Sequence, residues 1–75
     1  MKNDKEKFFK QFGEHLRKIR EQKGISLREL ELRGDVDRHT LSKIENGKMN
    51  PSLYNLKRIC EMMEISFEEL FKDFN

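Results

Sequence analysis

The sequence predicts an all-α fold of five helices, on three observations. Apolar residues recur at spacings of three and four, a Ser or Asp precedes each apolar stretch after the first, and Gly24, Gly34 and Gly47 punctuate the gaps. With 35% hydrophobic and 40% charged side chains, 75 residues would read as disordered if the apolar positions were scattered. Their helical spacing instead argues for one core, and residues 1–75 are expected to form a single domain.

The first helix starts near Asn3 or Asp4 and carries Phe8, Phe12, Leu16 and Ile19 along one side. Gly24 is placed to end it in the left-handed conformation. Ser26 with Glu29 three positions on reads as a capping box, opening a short second helix with Leu27 and Leu30 inward. Gly34-Asp35 breaks that helix, since both residue types tolerate positive φ, and Val36 follows as an apolar lead-in. Asp37 caps a third helix that buries Leu41 and Ile44. Asn46-Gly47 closes it, and at Asn50-Pro51 the proline lacks a donor and holds its predecessor extended. Ser52 caps the fourth helix, whose apolar face is Leu53, Leu56, Ile59, Cys60 and Met63. A second capping box, Ser66 with Glu69, opens the fifth, with Phe67, Leu70 and Phe71 inward.

The informative unit runs from Leu27 to Asn46: two short helices around a tight turn at Gly34. Helices joined in this way cross at a large angle, so the second projects its N-terminal residues outward. Those residues are Arg38, His39, Ser42 and Lys43, with Asn46 at the far end. An α-helix fits the major groove of B-DNA, where Arg and Lys suit guanine O6 and N7 and where Ser and His can donate to several bases. Asp37 would repel phosphate there unless its capping bonds hold it inward.

On these residues the chain resembles the Cro and cI repressor type of helix-turn-helix domain, also called the xenobiotic-response-element family. The likeness covers about residues 12–71 and implies a five-helix, lambda-repressor-like DNA-binding fold. It is carried by Phe12-Gly13 with Leu16, Ile19 and Arg20, by Gly24-Ile25-Ser26, by Glu29-Leu30 and by Ile44-Glu45-Asn46-Gly47-Lys48. Asn50-Pro51-Ser52-Leu53 and Ile65-Ser66 with Glu69-Leu70 complete it. The resemblance implies base contacts from Arg38, His39, Ser42 and Lys43. It implies phosphate contacts from Asn46, Lys48 and Asn50 in the following loop, and Arg28 and Thr40 are counted with them. Arg20 and Glu45 match an ion pair that joins the first helix to the third. The chain departs from the family at four places. Leu27 or Arg28 stands where a Gln is usual, Glu31 where a small residue is usual, Asp35 at the turn Gly, and Glu64 at a common Gly after the fourth helix.

Other classes of function find little support. His15, His39 and Cys60 lack metal-ligand spacing, and Cys60 falls on an apolar stripe where a free cysteine acts as a small hydrophobe. No residues are arranged as nucleophile and base, so neither an enzyme, a cofactor, a metal nor a small-molecule ligand is expected. The longest apolar runs are pairs such as Phe8-Phe9, far short of the roughly 20 residues that cross a bilayer. A lone cysteine and a charged start lead us to expect a cytoplasmic location. The net charge is +2, unevenly spread: residues 1–23 hold eight Lys/Arg against four Asp/Glu, and residues 51–75 hold three against five.

A transcriptional regulator acting on double-stranded DNA is therefore expected, of the phage-repressor or restriction-modification-controller kind. One such motif reads only a few base pairs, so a homodimer is expected as well, with Phe71 and Phe74 at its interface. The alternative is a protein-interaction module, for example an antitoxin that caps a toxin.

Overall fold

The computed structural model describes the backbone of residues 2–74 and side chains from Asp4 onward. It contains α1 (Lys2–Gln22), α2 (Leu27–Leu32), α3 (Arg38–Glu45), α4 (Leu53–Met63) and α5 (Phe67–Phe71), with no strand among the described residues. No helix among them is long and apolar enough to cross a membrane.

Four of the helix starts are fixed by side-chain oxygens. Ser26, Asp37, Ser52 and Ser66 each sit in extended backbone and accept the N–H three residues on, satisfying a donor the helix cannot use. Only the box at Ser66 is reciprocal, with the Glu69 carboxylate accepting the Ser66 N–H at 2.9 Å. At Ser26 the expected box is half formed. The Glu29 carboxylate pairs instead with Arg33, one turn on at 3.2 Å. The first helix also begins at Lys2, ahead of the expected Asn3 or Asp4, which leaves Asp4 in the first turn, where a carboxylate suits the helix dipole.

Every helix sends at least one fully buried side chain to a common core: Leu16, Leu30, Leu41 and Ile44, Ile59 and Met63, and Leu70. The stripe on α4 is the one expected at Ile59, Cys60 and Met63, which are buried, and at Leu56, which packs against them, but it differs at Leu53 and Met62. Leu53 is 76% exposed because the first turn of α4 projects past the core, whereas Met62 is buried against Gly34, whose missing Cβ makes room for the thioether. Phe67 and Phe71 are also more exposed than an inward face would have them. The five-residue α5 has one fully buried position, and Leu70 fills it. Cys60 is buried in α4, and burial pushes its thiol pKa up.

The chain leaves α5 through Asp73, at φ 62°, and returns Phe74 to α1. There the ring meets Phe12 and Phe8 edge-on and lies 5.0 Å from the His15 ring. His15 Nε2 donates to the Leu70 carbonyl at 2.6 Å, a second tie between α1 and α5.

Glu64 ends α4 at φ 59° and ψ 44°, a left-handed conformation in which an L side chain costs about 1 to 2 kcal/mol. Its side chain is exposed, so a Gly would lose little contact there and would relieve the strain. The greater chain entropy of Gly offsets part of that relief. Glu64→Gly is therefore expected to stabilise the fold by about 0.5 to 1 kcal/mol, read as a raised urea midpoint at unchanged slope. A lowered midpoint would show that the Glu64 side chain holds something in place.

Candidate nucleic-acid interface

The α2–turn–α3 unit is clamped from several sides. Arg20 of α1 donates to Glu45 of α3 through both Nε and Nη2, at 2.7 and 2.9 Å, and its Nη1 donates to the Ile25 carbonyl at 2.7 Å. Both residues are buried, Arg20 at 8% and Glu45 at 4% exposure, and the bond to Glu45 holds the guanidinium pKa above its ordinary value against the effect of burial. On the opposite side, Arg58 of α4 binds Asp35 in the turn at 2.9 Å, with Glu61 as a further partner, and Arg33 donates to the Met62 carbonyl. The bond from Arg58 keeps the Asp35 carboxyl below the usual carboxylate range.

At the mouth of α3 two carboxylates face the helix N-terminus. Asp37 accepts the Thr40 N–H at 2.7 Å, and this bond holds its pKa down; Glu31 reaches across from α2 to accept the Arg38 N–H at 2.7 Å. Asp37 is thus engaged with its own helix, and Glu31, standing where a small residue is usual, has the start of α3 as its partner. Asp35 likewise has Arg58. The cap at Asp37 is local, three residues from its partner, but the uses of Glu31 and Asp35 depend on residues 7 and 23 positions away, which no local pattern reveals.

The outward side of α3 carries Arg38, His39 and Lys43, all exposed, with Ser42 and Thr40 half-buried beside them. Asn46 is exposed at the helix end, and its Nδ2 donates to the Ser42 carbonyl at 2.9 Å and to Ser42 Oγ at 3.3 Å. Lys48 and Asn50 are exposed in the loop that follows, and Arg28 is exposed on α2. Gly47, at φ +70°, lets this loop pass against the α1 backbone, where an added Cβ would lie 2.7 Å from Lys10 Cα. A shallow cleft of about 260 Å³ between them is lined by Glu6, Lys10, Asn46, Gly47 and Lys48. Lys10 thus adds a cation beside the loop. Reading α1 by its apolar stripe alone did not single it out.

Phe71 is 41% exposed and stacks on Phe12 with ring centroids 5.7 Å apart, while Phe74 lies half-buried against the same ring. In front of Phe71 runs an apolar groove of about 140 Å³ bounded by Phe8, Phe9, Leu56 and Pro51, with Asn50 at its edge.

The helix-turn-helix family profile matches residues 16–70 of this chain. Control protein C.MunI of Mycoplasma sp is 43% identical over 63 residues, 83% of this chain and 85% of that protein. The HTH-type transcriptional regulator SlrR of Bacillus subtilis is 38% identical over 60 residues, 79% of this chain but only 40% of SlrR. Among solved structures, the restriction-modification controller protein C.AhdI from Aeromonas hydrophila superposes with a TM-score of 0.84 at 32% identity, covering 91% of this chain and 99% of that one. The clp gene regulator ClgR from C. glutamicum gives 0.78 at 29% identity, over 87% and 83% of the two chains. With a profile match across most of its length and relatives that are regulators throughout, the chain belongs to the Cro/cI-type helix-turn-helix family of DNA-binding transcription regulators.

Proposed function

We propose that this protein is a restriction-modification controller that binds operator DNA as a homodimer, with α3 of each copy in the major groove. The observation that carries the reading is the exposed row Arg38, His39 and Lys43 on a helix whose orientation is fixed by the buried Arg20–Glu45 pair. A helix held at one angle can present donors to base edges, whereas a loose one reads mostly charge. The similarity extends over 85% of C.MunI and 99% of C.AhdI, against 40% of SlrR, which favours the controller kind within the family.

In this reading Arg38, His39, Ser42 and Lys43 contact bases, and Arg28, Thr40, Asn46, Lys48 and Asn50 contact phosphates. The second copy docks along the apolar groove through Phe71, with Phe74 supporting that ring from behind. Asn50 lies at the edge of the groove, so the seam between copies would adjoin the phosphate-contacting loop.

Selection of bound duplexes from a random pool tests the whole reading: a two-fold symmetric site, its halves about 34 Å apart, is expected. On that site Arg38→Ala should cost about 1 to 3 kcal/mol and relax preference at one base position, while Lys48→Ala should weaken all sequences and flatten the salt slope by about one unit. Equal weakening on every sequence would move Arg38 to the phosphates. Phe71→Glu is expected to give a folded monomer by sedimentation, with most operator affinity gone. Normal dimers in that variant would place the interface elsewhere. Both rings pack on Phe12, but Phe71 is the cleaner choice, because it is the more exposed and a charge at Phe74 would also remove the ring packed on Phe8 and His15.

A further inference from the structure

Glu31 stands out once the site is assembled. Its Oε2 accepts the N–H of Arg38, the first residue of α3, from a position on the other helix of the motif. That N–H is one of the donors a helix leaves without an intrahelical acceptor, and Asp37 already serves another at Thr40. Asp37 caps α3 from its own chain neighbourhood and says nothing about where α3 points. The bond from Glu31 does, because it fixes the start of α3 against the body of α2.

The tie also ends on the residue with most to gain from it. Helices of six and eight residues do not hold their own orientation in water, so tertiary bonds must set it. A guanidinium reading a guanine edge needs two hydrogen bonds aligned at once, and such bonds weaken steeply once the angle falls below about 120°. A small rotation at the first residue of α3 is carried along the length of the Arg38 side chain to its guanidinium. The Glu31 charge, facing the positive end of α3, strengthens the tie.

We propose that Glu31 is a positioning residue for base reading, acting through Arg38: its carboxylate sets the angle at which the Arg38 side chain leaves α3. This rests on the reading of α3 as the major-groove helix. Glu31 itself touches no DNA in this scheme, since its oxygen is committed to the Arg38 N–H.

The test compares affinity for the selected operator and for random duplex in the wild type, in Glu31→Ala, Glu31→Gln and Glu31→Asp, and in Glu31→Ala combined with Arg38→Ala. Urea melts confirm that each protein is folded at the assay temperature. Glu31→Ala should lose roughly tenfold on the operator and stay within about twofold on random duplex, as loss of one charge-assisted bond that matters only in the specific complex. Glu31→Gln keeps an acceptor of the same reach and should stay within about threefold of wild type. Glu31→Asp is too short to span the gap and should behave like Ala, which keeps the test open should Ala fail to fold. In the Arg38→Ala background the Glu31 substitution should have almost no further effect, because the group it positions is gone. An unchanged operator-to-random ratio in Glu31→Ala and Glu31→Asp, or the same tenfold loss with Arg38 absent, overturns the proposal. If Arg38→Ala leaves base preference intact, the groove-helix reading fails first and takes this one with it. If Arg38→Ala relaxes preference while the Glu31 variants keep the ratio, only the positioning role fails.

Discussion

Glu45→Ala should lower the unfolding free energy by about 3 to 5 kcal/mol, because it strands the Arg20 guanidinium in a buried site. A domain of this size holds only about 4 to 11 kcal/mol in all, at 0.05 to 0.15 kcal/mol per residue, so the variant loses a large part of its stability. The three hydrogen bonds made by Arg20 decide what repairs it. Two go to Glu45 and one to the Ile25 carbonyl. Replacing the pair with Arg20→Met and Glu45→Leu removes both charges and should recover most of the loss, since well-packed apolar residues often match a buried ion pair. Recovery should stop short of wild type, because the Ile25 oxygen stays buried without its donor, at about 1 to 3 kcal/mol. Urea unfolding of the single and double variants measures both. A single-variant loss below about 1 kcal/mol would mean that water reaches the stranded guanidinium.

A comparable loss is expected from one methyl group. Gly13 lies where α1 crosses α3, and an added Cβ would fall 2.5 Å from the Ile44 carbonyl oxygen and closer still to that of Glu45. Ala in mid-helix would otherwise gain about 1 kcal/mol over Gly. The overlap outweighs that gain, because the obstructing atoms are backbone and cannot swing aside, and their residues are pinned by the core and by the ion pair. Gly13→Ala should therefore destabilise by about 2 to 3 kcal/mol net, as overpacking against rigid neighbours does. It should also weaken operator binding at temperatures where the protein remains folded, because α3 has to move away from α1. A stabilised variant in thermal melts would show that the crossing has slack.

How far such features could be read in advance follows from how local their causes are. Ser26, Asp37, Ser52 and Ser66 bond to groups three residues away, so the starts of α2 to α5 were legible as spacing. The exposed face of α3 was legible as well, since buried Leu41 and Ile44 leave Arg38, His39 and Lys43 outside by helical period alone. The stripe on α4 was legible at Leu56, Ile59, Cys60 and Met63 but not at its margins, because a period cannot say where the core stops: Leu53 falls on the pattern yet faces out, and Met62 falls off it yet is buried. Glu31 and Asp35 resisted for another reason. Each fills a place where a small residue would serve, with a carboxylate whose partner lies on a different helix. Glycine in the middle of the amphipathic α1 was a signal of close approach that the pattern contained, although its partner, the α3 backbone, was not.

The buried thiol of Cys60 gives the molecule a clock. Thiol reagents attack the thiolate, and here the sulfur is both covered by the core and held protonated by burial, so a reagent must wait for the core to open. Under conditions where closing is faster than labelling, the labelling rate divided by that of the unfolded chain is the equilibrium population of open molecules. A ligand that binds only the closed form slows that rate by the factor one plus its concentration over its dissociation constant. The one cysteine of this chain therefore reports any duplex that binds only the closed form, through a single chemical modification on α4 and with no label on either partner.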